Sequence, residues 1–115
     1  MEIYLAKTLD KMKMYGTTYD LSMEPDDRVE TYFFDLQENE WLLDNLVDSI
    51  NAYCGTLLDN GDYDFIPSDE CASLISVLEK VDLKIVPEKS RLLVEKMMEF
   101  AERAIQYNTG MAIEL

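Results

Sequence analysis

The stretch Met1-Glu-Ile-Tyr-Leu-Ala-Lys-Thr-Leu9, continued by Asp10 to Gly16, decides between two folds. Read at helical spacing, Met1, Leu5, Leu9 and Met12 share one face, with Tyr4 and Tyr15 alongside, until Gly16 ends the run. Read with a period of two, Met1, Ile3 and Leu5 suit a strand instead. The helical reading takes in more of the apolar residues. It makes this segment the first helix of a mainly α protein.

Working outward, the next signals are mixed. Met23-Glu-Pro-Asp-Asp27 is turn-like and acidic, with a proline that disfavours helix at the residue before it. Val29 to Phe34, rich in aromatic residues, reads as a short strand or as the first turns of a longer helix, with the strand preferred because Asp35 follows it. Asp35-Leu-Gln-Glu38 then has the spacing of a capping box, which opens a second helix from about Leu36 to about Leu57. Leu43, Val47, Ile50, Cys54 and Leu57 recur on it in steps of four and three, with Leu46 and Tyr53 beside them. Such a stripe faces a core.

Asp59-Asn-Gly-Asp62 ends that helix, with Gly61 a left-handed turn residue. Ser68 is the expected N-cap of a third helix, and Asp69 and Glu70 stand in its first turn where the dipole favours acids. Cys71, Leu74, Ile75, Leu78 and Val81 would face inward. After an apolar bridge from Leu83 to Val86, Pro87 opens a fourth helix that ends near Asn108. Leu93, Val94, Met97, Met98, Phe100, Ala101, Ala104 and Ile105 form its broad apolar arc, and Glu99 and Arg103 its i,i+4 ion pair. Met111-Ala-Ile-Glu-Leu115 either docks on the body or stays loose. The expectation is one domain, residues 1–115, built as an antiparallel bundle of about four helices with room for a small strand element; a helix-rich α+β protein is the alternative.

Charge is the functional signal. From Leu21 to Glu70 there are fourteen acids and a single base, Arg28, whereas the residues before balance and those after carry seven acids against six bases. Nearly all of the net charge of −14 therefore sits in one central stretch. A surface so one-signed repels itself and is useful chiefly toward a cationic partner. It also excludes direct binding to nucleic acid, whose phosphates would be repelled. The chain has no histidine, which removes the commonest general base and imidazole metal ligands. The expected class is a binding module, not an enzyme, with no cofactor.

Cys54 and Cys71, the only cysteines, fall at apolar helical positions and read as buried free thiols. The N-terminus lacks the basic and apolar regions of a signal peptide, and no stretch approaches a membrane span, so the expected setting is cytoplasmic, away from any membrane.

On a helical wheel with Glu40 at zero, Asp44 falls at about 40°, Asp48 at about 80° and Trp41 at about 100°, while the apolar stripe occupies roughly 200° to 340°. Like charges in i,i+4 steps oppose helix formation, and Lys would relieve them. The functional reading is a docking face with Trp41 as anchor and Glu40, Asp44 and Asp48 steering a basic partner. The plainer reading is a solvated face with Trp41 covered from elsewhere. Asp59, Asp62 and Asp64 extend the acidic surface. They do not match a calcium loop: with Gly61 at loop position 6, the ligand positions fall on Thr56, Leu58 and Asn60.

Small, acidic, cysteine-poor helical chains of this kind resemble the immunity proteins of bacterial toxins and the phage inhibitors that imitate DNA. The likeness is one of composition and rests on no motif. It implies an inhibitor that occludes a basic groove of a toxin or nucleic-acid-binding protein. The alternative function is a homo-oligomeric assembly protein, such as a homodimer joined through the Met-rich fourth helix, if that arc is wider than one core can cover.

Overall fold

The opening segment is a strand. In a computed structural model describing all of Met1–Leu115, β1 (Glu2–Ala6) lies inside a four-stranded antiparallel sheet. The other members are β4 (Val29–Phe33), β5 (Tyr63–Pro67) and β6 (Gly110–Glu114), in the order β4-β1-β6-β5. The register pairs Glu2 with Phe33 on one side of β1 and with Glu114 on the other. Between β1 and β4 the chain makes a two-residue hairpin, β2 (Met14–Tyr15) and β3 (Thr18–Tyr19), turned at Gly16 with φ +69°. A single 3-10 turn, Leu21–Met23, follows it.

This overturns the mainly α bundle that helical spacing predicts; the protein is α+β. The reason lies in the two inner strands. Ile3, Tyr4, Leu5 and Ala6 of β1 and Gly110 to Ile113 of β6 are all buried, so neither strand alternates between apolar and polar residues. A strand covered on both faces reads as a continuous apolar run, which periodicity cannot separate from a buried helix turn. The C-terminal Met111–Leu115 segment is thus neither loose nor merely docked. It is the spine of the sheet.

Four helices are present, but not the predicted four. The expected second helix is two: α1 (Leu36–Asn45) and α2 (Val47–Cys54), broken at Leu46, where φ −125° and ψ −29° leave the helical range. Leu57 lies beyond the end of α2 and is 86% exposed, so it is no part of the core stripe. The third and fourth are α3 (Ser68–Glu79) and α4 (Glu88–Tyr107). Ser68 does not cap α3. Pro67 occupies that position, and the Ser68 hydroxyl donates to Asn108 Oδ1 instead, at 3.1 Å.

Helices α3 and α4 lie on one face of the sheet, and α1 and α2 pack against them. Ile3, Leu5, Ile66, Met111 and Ile113 point into a core of 23 buried residues that takes in the apolar faces of α1 to α4. The opposite face carries a smaller cluster, with Tyr4, Ala6 and Ala112 beneath Met12 and Leu21 of the 7–28 segment. The crossing from α4 to β6 is tight. Asn108 caps the helix in the left-handed conformation at φ +54°, Thr109 N–H returns to Ala104 O, and Thr109 Oγ1 donates to Ala6 O at 2.6 Å. Gly110 must be glycine here, because a Cβ would meet the Phe65 ring and, at 2.8 Å, the Ile66 carbonyl oxygen. No helix is long and apolar enough to cross a membrane.

Candidate docking surface

The acidic side of the molecule begins at α1. Asp35 caps this helix by accepting the Glu38 N–H at 3.0 Å, the forward half of the predicted capping box. The return half is missing: Glu38 is buried with Oε2 unpartnered, and burial, aided by the nearby Asp35 charge, pushes its carboxyl above the usual glutamate range. Asp35 itself is held below its usual range by the Glu38 N–H and by Lys89 at 3.0 Å.

Glu40, Asp44 and Asp48 are exposed, and none has a cationic partner within salt-bridge distance. The predicted arc through all three assumed one helix. The break at Leu46 puts Glu40 and Asp44 on α1 and Asp48 in the first turn of α2, where the helix dipole favours it. Trp41 is not turned away from the core as the wheel suggests. It is half-buried, packed against the main core on one side and open to a groove on the other.

The α2–β5 loop adds two more exposed acids. Asn51 organises it: its amide donates to Leu58 O at 2.9 Å and its carbonyl accepts from Thr56 Oγ1 and Leu58 N–H. Asp59 folds back on Asn60 N–H at 2.7 Å, and Gly61 takes the expected left-handed turn at φ +85°. Asn39 Nδ2 reaches Asn60 Oδ1 at 3.2 Å and so ties this turn to α1 one residue before Glu40. Asp59 and Asp62 face solvent. Asp64 differs, since it is partly buried in β5 and accepts the Leu57 N–H at 2.9 Å, which gives it a structural task. No three Cys, Asp or Glu side chains converge as a metal-holding group.

Of the fourteen acids from Leu21 to Glu70, only Glu24, Glu30 and Asp35 sit in salt bridges. On α4 one arginine gathers two acids, although Glu88, Glu95 and Glu102 of the same helix are exposed and without a salt bridge. Arg103 on α4 makes a two-pronged contact with Glu30 on β4, at 3.0 Å on each prong, and a third bond to Glu99 at 2.9 Å. Lys96 reaches Glu99 as well. The fork holds the Glu30 carboxyl below its usual range and raises the already basic guanidinium.

Sequence reasoning missed the groove beside Trp41. It measures about 350 Å³ and runs between α1–α2 and the end of α3, with Leu46, Val77, Val81, Ile85 and Val86 lining it alongside Trp41. Tyr53, 61% exposed, stands at its edge with the Lys80 ammonium 5.4 Å from its ring centre. Residues from 41 and from 77 to 86 meet only in three dimensions, so no local pattern announces the groove. The one hint is Ile85, an 81% exposed aliphatic residue in what the sequence presents as an apolar bridge.

The two cysteines are buried and unbonded. Burial pushes the Cys54 thiol up to about 11 and the Cys71 thiol up to about 12, so neither is a nucleophile at neutral pH. The apolar arc of α4 is covered within the chain from Leu93 to Ala104, leaving Leu92 and Ile105 partly exposed.

No family model matches this chain, and no curated protein or solved structure matches it either.

Proposed function

We propose that this chain is an acidic protein-binding module that occludes a basic surface of a partner protein, acting as an inhibitor. The supporting observation is that Glu40, Asp44, Asp48, Asp59 and Asp62 are exposed on α1, α2 and the adjoining loop with no intramolecular cation, beside a half-buried Trp41. Unpaired carboxylates attract a cationic surface from a distance and speed encounter, while the aromatic side chain supplies contact area once docked. A reducing intracellular setting belongs to this reading, and the two buried free thiols are compatible with it.

The test uses a partner captured from the source cell on the immobilised chain and eluted with a salt gradient. Exchanging Glu40, Asp44 and Asp48 together for Lys should slow association by about tenfold or more at low salt and flatten its salt dependence. An unchanged association rate rejects these residues as the steering face. Without partner, exchanging Glu40 and Asp44 alone for Lys should give an equal or higher urea midpoint, because self-repulsion is removed while Asp48 stays at the start of α2.

A further inference from the structure

We propose that the outer edge of β4 is a self-association site, where a second copy of this chain lays its own Val29–Phe33 antiparallel and joins two four-stranded sheets into one. The inference goes beyond the reading under Proposed function and is independent of it.

In an antiparallel ladder the backbone groups of successive residues point to opposite sides of the strand. Lys7 N–H donates to Arg28 O at 2.8 Å and Phe34 N–H to Met1 O at 3.0 Å, which fixes the phase of the β1–β4 ladder. Glu30 and Tyr32 therefore bond to β1, while Val29, Thr31 and Phe33 turn their N–H and C=O groups outward. The Val29 N–H is taken by Pro25 O at 3.1 Å. The N–H groups of Thr31 and Phe33 and the carbonyls of Val29, Thr31 and Phe33 meet no partner within the chain. The other outer edge is guarded. Ser68 N–H to Thr109 O and Leu115 N–H to Asp62 O set the phase there, so Tyr63, Phe65 and Pro67 point outward, and Pro67 has no N–H to offer. β4 holds neither proline nor lysine, and its one charged side chain, Glu30, is already gripped by Arg103.

The occupant is a second copy because the strand is complementary to itself. About a two-fold axis at Thr31, the two Thr31 residues exchange N–H···O bonds, and each Phe33 N–H reaches the Val29 carbonyl of the other copy. Every free outward N–H then has an acceptor. The same register sets Phe33, 71% exposed, against the apolar Val29 of the other copy on both sides of the axis. Glu30 falls opposite Tyr32, so no like charges face each other within the strand. Pairing consumes both β4 edges and leaves the Pro67 edges outermost, which closes the assembly at two copies. Asp27 and Asp35 flank the strand and approach each other across the axis. Association should therefore tighten as salt screens them, the reverse of docking on a basic partner.

Sedimentation equilibrium of the full chain at high salt reads the monomer–dimer constant, and a dimer is expected. Phe33→Ser removes the apolar pair on both sides of the axis and should weaken the dimer about tenfold or more. Its side chain is largely exposed, so the fold of the monomer is kept. Thr31→Glu sets two like charges face to face and should weaken the dimer as well. Hydrogen exchange gives a reading that needs no variant. The Thr31 and Phe33 amides should slow as protein concentration rises, whereas those of Glu30 and Tyr32, bonded to β1, should be slow throughout. A chain that stays monomeric at millimolar concentration and high salt overturns the proposal. So does a dimer that ignores both substitutions, or one in which the Thr31 amide exchanges as fast as in the monomer.

Discussion

The two faces of the sheet are built to different standards. Toward the helices, Ile3, Leu5, Met111 and Ile113 are at most 1% exposed within a core of 23 buried residues. Toward the 7–28 segment the same strands offer Tyr4, Ala6 and Ala112 to a cluster of six, and hydrogen bonds take over part of the work. The Tyr63 hydroxyl accepts the Leu21 N–H at 2.8 Å and donates to Tyr19 O at 2.7 Å. Tyr19 stacks edge-on against Phe65, and the Arg28 guanidinium holds the Asp10 carbonyl. One face is closed by packing and the other by a wrapped segment pinned at a few polar points. The wrapped face should therefore open locally without unfolding the molecule.

The largest effect should come from the packed face. Ile113→Ala leaves a cavity under α4 and should cost about 2–5 kcal/mol, read as a fall in urea midpoint. Next is Tyr63→Phe, which orphans the Leu21 N–H and the Tyr19 carbonyl and should cost about 1–2 kcal/mol. Its signature is regional: hydrogen exchange should quicken around Tyr19 to Met23 and stay slow in α4. Equal acceleration in both places would show that the faces open as one unit, and the distinction between them would fail.

The smallest effect is one of pH. Glu114 faces Glu2 across the β1–β6 ladder and accepts from the Tyr4 hydroxyl at 3.2 Å, with the Met1 ammonium nearby. Burial, then the Glu2 charge, raises its carboxyl above the usual range. A raised folded-state value means that stability is fully present below the unfolded value of about 4.3 and is lost as pH rises through the folded one. Glu114→Gln should thus be more stable than the parent near neutrality, with the gap closing as pH falls toward about 4.3. A gap that widens on acidification would mean that Glu114 is stabilised as a carboxylate.

The same contrast explains what could be read from the sequence. Helix α4 was legible because it buries one face only, with Glu95, Glu99 and Glu102 left outside, and the strand at Val29–Phe33 because an aromatic-rich run is followed by the Asp35 cap. Strands β1 and β6 were not, since cover on both sides erases alternation. The break at Leu46 has no glycine or proline to mark it. The acidic character of the central stretch was legible as composition, and Glu40, Asp44, Asp48, Asp59 and Asp62 do lie exposed. What could not be read is Trp41's dual contact, because its other neighbours, Val77 to Val86, come from more than thirty residues away.

The pairing of β1 with β6 has a consequence for how the molecule comes into being. The first strand leaves the ribosome roughly a hundred residues before the one that will lie beside it. At about 5–20 residues per second, that interval lasts on the order of 5–20 s. Until Gly110–Glu114 emerges, the nascent chain can build the β1–β4 ladder and its helices but cannot close the sheet, and β5 has no neighbour at all. Pairs so distant along the chain also make for slow folding, because loop closure precedes the contacts that reward it. Folding is therefore completed only after translation has reached the last strand.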